Sequence, residues 1–86
     1  MKVSFSKVAD EDYRYWQRKD CKVFERVKAL LRDIDQHPFT GIGKPEPLRH
    51  ELSGWWSRRI TKAHRLVYQV ESGKISVLSC RFHYEK

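Results

Sequence analysis

The run Lys44-Pro45-Glu46-Pro47 sets a carboxylate between two prolines. Each proline ring fixes its own φ and confines the residue before it to extended or polyproline geometry, so Glu46 sits on stiff backbone. Such a carboxylate suits a general base, which must meet its proton at hydrogen-bond distance. Taken alone, the run is also an ordinary place for a solvated glutamate. A second feature is the arginine group Arg49, Arg58, Arg59, Arg65 and Arg81, interleaved with Trp55, Trp56 and Phe82. Guanidinium forks bind phosphate in pairs of hydrogen bonds and do not lose their proton. Aromatic rings among them offer faces for stacked bases. The plainer alternative is a solubilising charged face. The third feature is His83-Tyr84, close to the end of the sequence. A cationic neighbourhood disfavours imidazolium, which makes His83 a readier proton donor.

A carboxylate, an arginine and a histidine together suit metal-free RNA cleavage. A base takes the proton of the ribose 2′-hydroxyl, an arginine stabilises the charge on phosphorus, and an acid protonates the departing 5′-oxygen. Acid and base each contribute typically ~10²–10⁴-fold. A metal site is not expected. His37, His50, His64 and His83 lack HxxxH or HExxH spacing, and Cys21 and Cys80 form no CxxC pair. The cysteines also lack the paired spacing of a disulfide framework, so buried thiols of a reducing compartment are expected.

The bulk numbers bound the partners. The chain has 86 residues, which predicts one domain over 1–86. Eighteen Lys and Arg against eleven Asp and Glu leave a net charge of +7, which favours anionic partners, nucleic acid first. No long apolar run and no signal-like N-terminus are visible, so neither a membrane association nor export is expected.

The elements that must position these residues follow from periodicity. Residues 2–6 alternate as a short strand. Residues 9–19 read as a helix with Asp10, Glu11 and Asp12 at its positive end and Arg18 and Lys19 in its last turn. Asp20 is the expected cap of a second helix, in which Val23, Phe24, Val27, Leu30, Leu31 and Ile34 keep helical spacing before Pro38 stops it. A Gly- and Pro-rich loop follows, with a short strand expected near Leu48 to His50. Three alternating runs, 55–60, 64–70 and 74–84, then read as strands. The order predicts an α+β domain with both helices on one face of a largely antiparallel, twisted sheet.

Strand parity assigns Trp56, Ile60, Leu66, Tyr68, Val70, Leu78, Cys80 and Phe82 to the helix-facing side. It leaves Arg59, Arg65, Arg81 and His83 on the other face. Arg58 falls on the apolar side, which predicts a bulge or twist near Trp56.

From "KPEPLRHELSGWWSRRITKAHRLVY" through "CRFHY" the chain closely resembles the YoeB-type toxins of the RelE superfamily. The likeness spans nearly all of residues 1–84 and is strongest from "HPFTGIGKPEPL" onward. It implies a microbial-ribonuclease-like fold and a cytoplasmic bacterial toxin that cuts mRNA in the ribosomal A site without a cofactor. By the same resemblance, Glu46 corresponds to the general base, Arg65 to the transition-state stabiliser and His83 to the general acid. Tyr84 corresponds to the residue that orients or stacks on the substrate, and Arg59 to an arginine at the phosphate. Lys44, Arg49 and Arg81 complete the expected anion contacts. Arg49 stands where the family commonly has Lys, and Glu85 and Lys86 extend past the usual end. The implied partners are mRNA, the ribosome and a YefM-type antitoxin, with operator DNA reached only through the antitoxin and a homodimer as one open assembly. A noncatalytic RNA- or ribosome-binding module that blocks translation by occupancy accounts equally for the charge and the aromatics. It needs neither Glu46 nor His83.

Overall fold

The computed structural model describes residues 1–82. Strand β1 (Lys2–Phe5) leads into α1 (Lys7–Lys19) and α2 (Cys21–Gln36). There follow β2 (Glu46–Pro47), a 3₁₀ turn (His50–Leu52), β3 (Trp56–Arg59), β4 (Arg65–Glu71) and β5 (Lys74–Ser79). The five strands form one sheet in the order β1-β5-β4-β3-β2, antiparallel except for the parallel pair β1-β5. The α+β arrangement is the expected one. Leu48 to His50 is not a strand: the extended residues lie earlier, at the Pro-flanked Glu46, and His50 opens a 3₁₀ turn at φ +57°.

Each helix begins on a side-chain cap. The Ser6 hydroxyl accepts from the Ala9 N–H at 3.0 Å and donates to the Leu78 carbonyl at 2.7 Å, which ties the start of α1 to β5. Asp20 caps α2 by accepting from the Val23 N–H at 3.2 Å, as its position before the apolar period implies. Asp12 does more than favour a helix dipole. It is buried and accepts the Cys80 N–H at 3.0 Å, and burial pushes its carboxyl above the usual range.

Ala9 and Trp16 of α1 and Val27, Leu30 and Ile34 of α2 pack on the sheet's inner face. On β4 that face carries Leu66 and Tyr68, but on β5 it carries Ile75 and Val77 rather than Leu78. The reason is a bulge. Val67 pairs with Ser79 and Tyr68 with Val77, so Leu78 is an extra residue on β5 and the parity of the strand inverts there. Beyond it Cys80 returns to the core. The sheet then ends at Ser79, and Phe82 is exposed at φ +63° instead of packing beneath the helices.

No irregularity occurs near Trp56. Pairing runs in register from Trp56 opposite Tyr68 to Arg59 opposite Arg65, and this places Arg58 squarely on the inner face, fully buried. All five of its N–H groups are used. Nε donates to the Tyr68 hydroxyl at 3.1 Å, Nη1 to Asp33 at 2.6 Å and the Ile42 carbonyl at 3.1 Å. Nη2 donates to the carbonyls of His37 and Thr40 at 2.6 and 2.8 Å. The arginine is therefore a structural post and not part of an anion-binding face. Gly41, at φ +112°, leaves room for this: a Cβ there would collide with the Asp33 carboxylate.

Two measurements follow from this packing. Arg58→Ala leaves a half-buried carboxylate, a buried phenol and three carbonyls without their donor, and should cost ~3–5 kcal/mol in urea unfolding. A loss under about 1 kcal/mol, the value of an exposed pair, would contradict the account. The Arg58 guanidinium holds the Asp33 carboxyl below its ordinary 3.8. Its stabilisation is thus full above that value and is lost as pH falls through the lower folded one. Asp33→Asn should flatten this acid limb. The cysteines also differ, since Cys21 opens α2 on its outer side and is exposed, contrary to expectation, whereas Cys80 is buried with its thiol pushed up to about 12. A thiol reagent at neutral pH should label one cysteine in the folded protein and both after unfolding.

Candidate active site

Glu46 stands at the sheet's edge because two features fix the chain before it. Gly43 adopts φ +83° and its carbonyl accepts the Arg59 N–H at 2.7 Å; Lys44 follows at φ +50°. A side chain at 43 would press on Leu30 at 2.8 Å, so the loop can lie this close only as glycine. The two prolines then hold Glu46 and Pro47 extended, and Glu46 pairs with Ser57 of β3. An edge strand is where the missing proline N–H costs no ladder bond.

On the sheet face turned away from the helices, Glu46, Ser57 and Val67 form a cross-strand row, with Arg59 and Arg65 paired in the neighbouring row. The Arg65 Nη1 lies 3.7 Å from the Glu46 Oε1. This is an ion pair longer than a hydrogen bond. Arg65 is largely covered, with its side chain 15% exposed, while Glu46 is 53% exposed. The Arg65 Nε is shut off from solvent and has no acceptor among the described residues. The guanidinium thus keeps hydrogen-bonding capacity that the described residues do not use, beside a solvent-exposed carboxylate. Ser57 is buried between Glu46 and Val67 in the row, and its hydroxyl likewise has no partner among the described residues.

The remaining expected residues are distributed differently. Arg59 is exposed beside Arg65, and its carbonyl accepts from Arg26 at 3.3 Å. Lys44 and Arg49 are exposed and flank the Glu46–Pro47 strand, Lys44 two residues before it and Arg49 at the start of the 3₁₀ turn. Arg81 does not share the open face with Arg65. The chain leaves the sheet after Ser79, and Arg81 comes to the α1 side, where its guanidinium lies 3.5 Å above the Tyr15 ring. Trp56 also faces inward and packs on Phe39 at 4.8 Å. His83 and Tyr84 lie outside the described residues.

His64 has no role in the sequence reading, and its only signal is adjacency to Arg65. Its ring meets Trp16 edge-on at 4.8 Å, and its Nδ1 accepts the Phe82 N–H at 2.7 Å. Burial, and then Arg81, lower its pKa below the ordinary imidazole value, with Asp12 opposing. No group of three or more His, Cys, Asp or Glu among the described residues could hold a metal ion, and no described helix is long and apolar enough to cross a membrane.

Comparison with known proteins gives a consistent relationship. A family profile described as "YoeB-like toxin of bacterial type II toxin-antitoxin system" matches residues 5–84. The chain is 48% identical to the toxin YoeB of Escherichia coli K12 over 98% of its own length and all of the relative's. A solved YoeB/ParE toxin from Agrobacterium tumefaciens superposes with a TM-score of 0.94 at 45% identity, covering 98% of this chain and 100% of the other. Two structures from Staphylococcus aureus, a heterotetrameric YoeB-YefM complex and a YoeB dimer, each superpose at 0.92 with 45% identity over 98% of both chains. A sheet carrying a Pro-flanked glutamate beside paired arginines, and these full-length similarities, together establish that the chain belongs to the YoeB-like toxins of bacterial type II toxin–antitoxin systems.

Proposed function

We propose that this protein is a ribosome-dependent endoribonuclease that cuts mRNA in the ribosomal A site and so inhibits translation. The observation that carries the reading is the Glu46–Arg65 pair: an open carboxylate 3.7 Å from a guanidinium whose Nε has no acceptor among the described residues, on a sheet face shared with Arg59. Glu46 takes the proton from the ribose 2′-hydroxyl, and the freed oxygen attacks phosphorus. Arg65 stabilises the added negative charge in a setting where water is largely excluded, which strengthens its effect. The P–O5′ bond breaks as His83 supplies a proton to the leaving oxygen, giving a 2′,3′-cyclic phosphate, or the 3′-phosphate after hydrolysis, and a 5′-hydroxyl. Tyr84 orients or stacks on the substrate. Lys44, Arg49, Arg59 and Arg81 serve as phosphate contacts, with Arg81 on the α1 side of the sheet's end.

Family membership supports a partner as well. A YefM-type antitoxin neutralises the toxin, and the basic chain of net charge +7 suits both an acidic peptide and RNA. Operator DNA is then met only through the antitoxin complex, and a toxin homodimer is a second assembly, as in the S. aureus relative.

The test uses ribosomes programmed with mRNA in the A site and purified wild type, Glu46→Ala, Arg65→Ala and His83→Ala. The wild type should cut within the A-site codon and leave a cyclic or 3′-phosphate, and each substitution should slow the cut at least ~10²-fold. Intact mRNA with translation blocked equally by all four proteins would replace the nuclease with an occupancy inhibitor.

A further inference from the structure

The backbone of Phe82 is held from both sides by two consecutive residues. Its N–H donates to the His64 Nδ1 at 2.7 Å, and its carbonyl accepts the Arg65 N–H at 3.1 Å. The residue adopts φ +63°, a conformation that a bulky side chain rarely takes and that neighbouring contacts must hold. Phe82 is 58% exposed, so burial of the side chain is not what anchors it. The anchor is instead the imidazole, and the imidazole is itself fixed. Its ring stands at 78° to that of Trp16, whose Nε1 donates to the Cys80 carbonyl at 2.7 Å, and the Cys80 N–H donates to Asp12. One chain of contacts therefore runs from α1 through residues 80–82 to the strand that carries Arg65.

We infer that His64 is a positioning residue of this centre: as a neutral imidazole it clamps the Phe82 backbone beside Arg65, setting the point from which the chain continues to His83 and Tyr84. The inference rests on the ribonuclease reading above. His64 acts through Phe82 and exchanges no proton with substrate. Accepting at Nδ1 requires the ring proton on Nε2, and an imidazolium has no acceptor left for the Phe82 N–H. The charged groups facing the ring are Asp12 from α1 and Arg81 from the C-terminal segment. Burial and Arg81 favour the neutral form, in agreement with the geometry, and so keep the clamp closed at neutral pH.

The experiment compares His64→Phe, which keeps an aromatic ring against Trp16 but has no acceptor, with His64→Asn, whose amide oxygen reaches the place of Nδ1. Both are made in the full chain. Amide hydrogen exchange at Phe82 reads the clamp directly, and single-turnover cleavage on programmed ribosomes reads its consequence. His64→Phe should speed Phe82 exchange about tenfold or more. It should slow cleavage by ~10–100-fold with ribosome binding unchanged, as misplacement of a reacting group does. His64→Asn should recover both readouts. Should His64→Phe not fold, His64→Gln, whose oxygen falls nearer the position of Nε2, takes its place. Lowering the pH below the ordinary imidazole range should release the Phe82 amide in wild type, because His64 then protonates, and should leave it protected in His64→Asn. Wild-type exchange or wild-type cleavage in His64→Phe would overturn the inference and leave the nuclease reading intact. A wild type that binds ribosomes without cutting would overturn the nuclease reading and this inference with it.

Discussion

A fully buried guanidinium organises this small protein. Arg58 projects from the centre of β3 into the layer between sheet and helices, where an unpaired charge would be prohibitive. It is tolerated because Asp33 comes from α2, Tyr68 from β4, and three carbonyls from the loop after α2, which together take all five of its donors. Tyr68 in turn donates to the Pro38 carbonyl at 2.7 Å. Four separate parts of the chain are thus made to agree on one geometry. An apolar residue at this position could fill the space but could not dictate the path of residues 37–42.

That path determines where Glu46 stands. The loop leaves the Arg58 network at Ile42, makes its close approach at Gly43 against Leu30 and the Arg59 carbonyl, and enters the Pro-flanked strand. The same strand β3 therefore presents Arg58 inward as a post and Arg59 outward beside Arg65, one residue apart on opposite faces. Structural and candidate catalytic arginines are adjacent in sequence and separated by the thickness of the sheet. A site at a sheet edge, built by a loop that an internal charge holds in place, gains rigidity without a large core.

The far side of the site depends on a different device. The extra residue at Leu78 inverts β5, returns Cys80 to the core under Asp12 and Trp16, and turns the chain out of the sheet. Arg81 then lies on Tyr15 and Phe82 is caught by His64 and Arg65. Glu46 and the turn at Phe82 are thus secured by separate polar networks, one around Arg58 and one running through Asp12, Trp16 and His64.

Much of this was legible in the residues alone. The helical period of Val27, Leu30 and Ile34, the cap at Asp20, the stiffness imposed by Pro45 and Pro47, and the alternation of β3 and β4 are local properties, set by backbone sterics and side-chain polarity. They determined the α+β order and the candidate Glu46, Arg59 and Arg65. What they could not specify is how distant segments satisfy one another. Arg58 looked like a misfit on the apolar side, to be relieved by a bulge, because its five acceptors lie in three other elements, up to 25 residues away at Asp33. Leu78 looked like a core residue because a bulge is a property of two strands in register and is invisible in either one. His64 looked idle because its partner, Phe82, is brought to it only by the turn of the chain after Ser79. Local sequence determined the elements and the chemistry available to them; the tertiary structure alone decided which charges became buried posts and which stayed on the open face, since hydrogen-bond satisfaction is settled between elements and not within them.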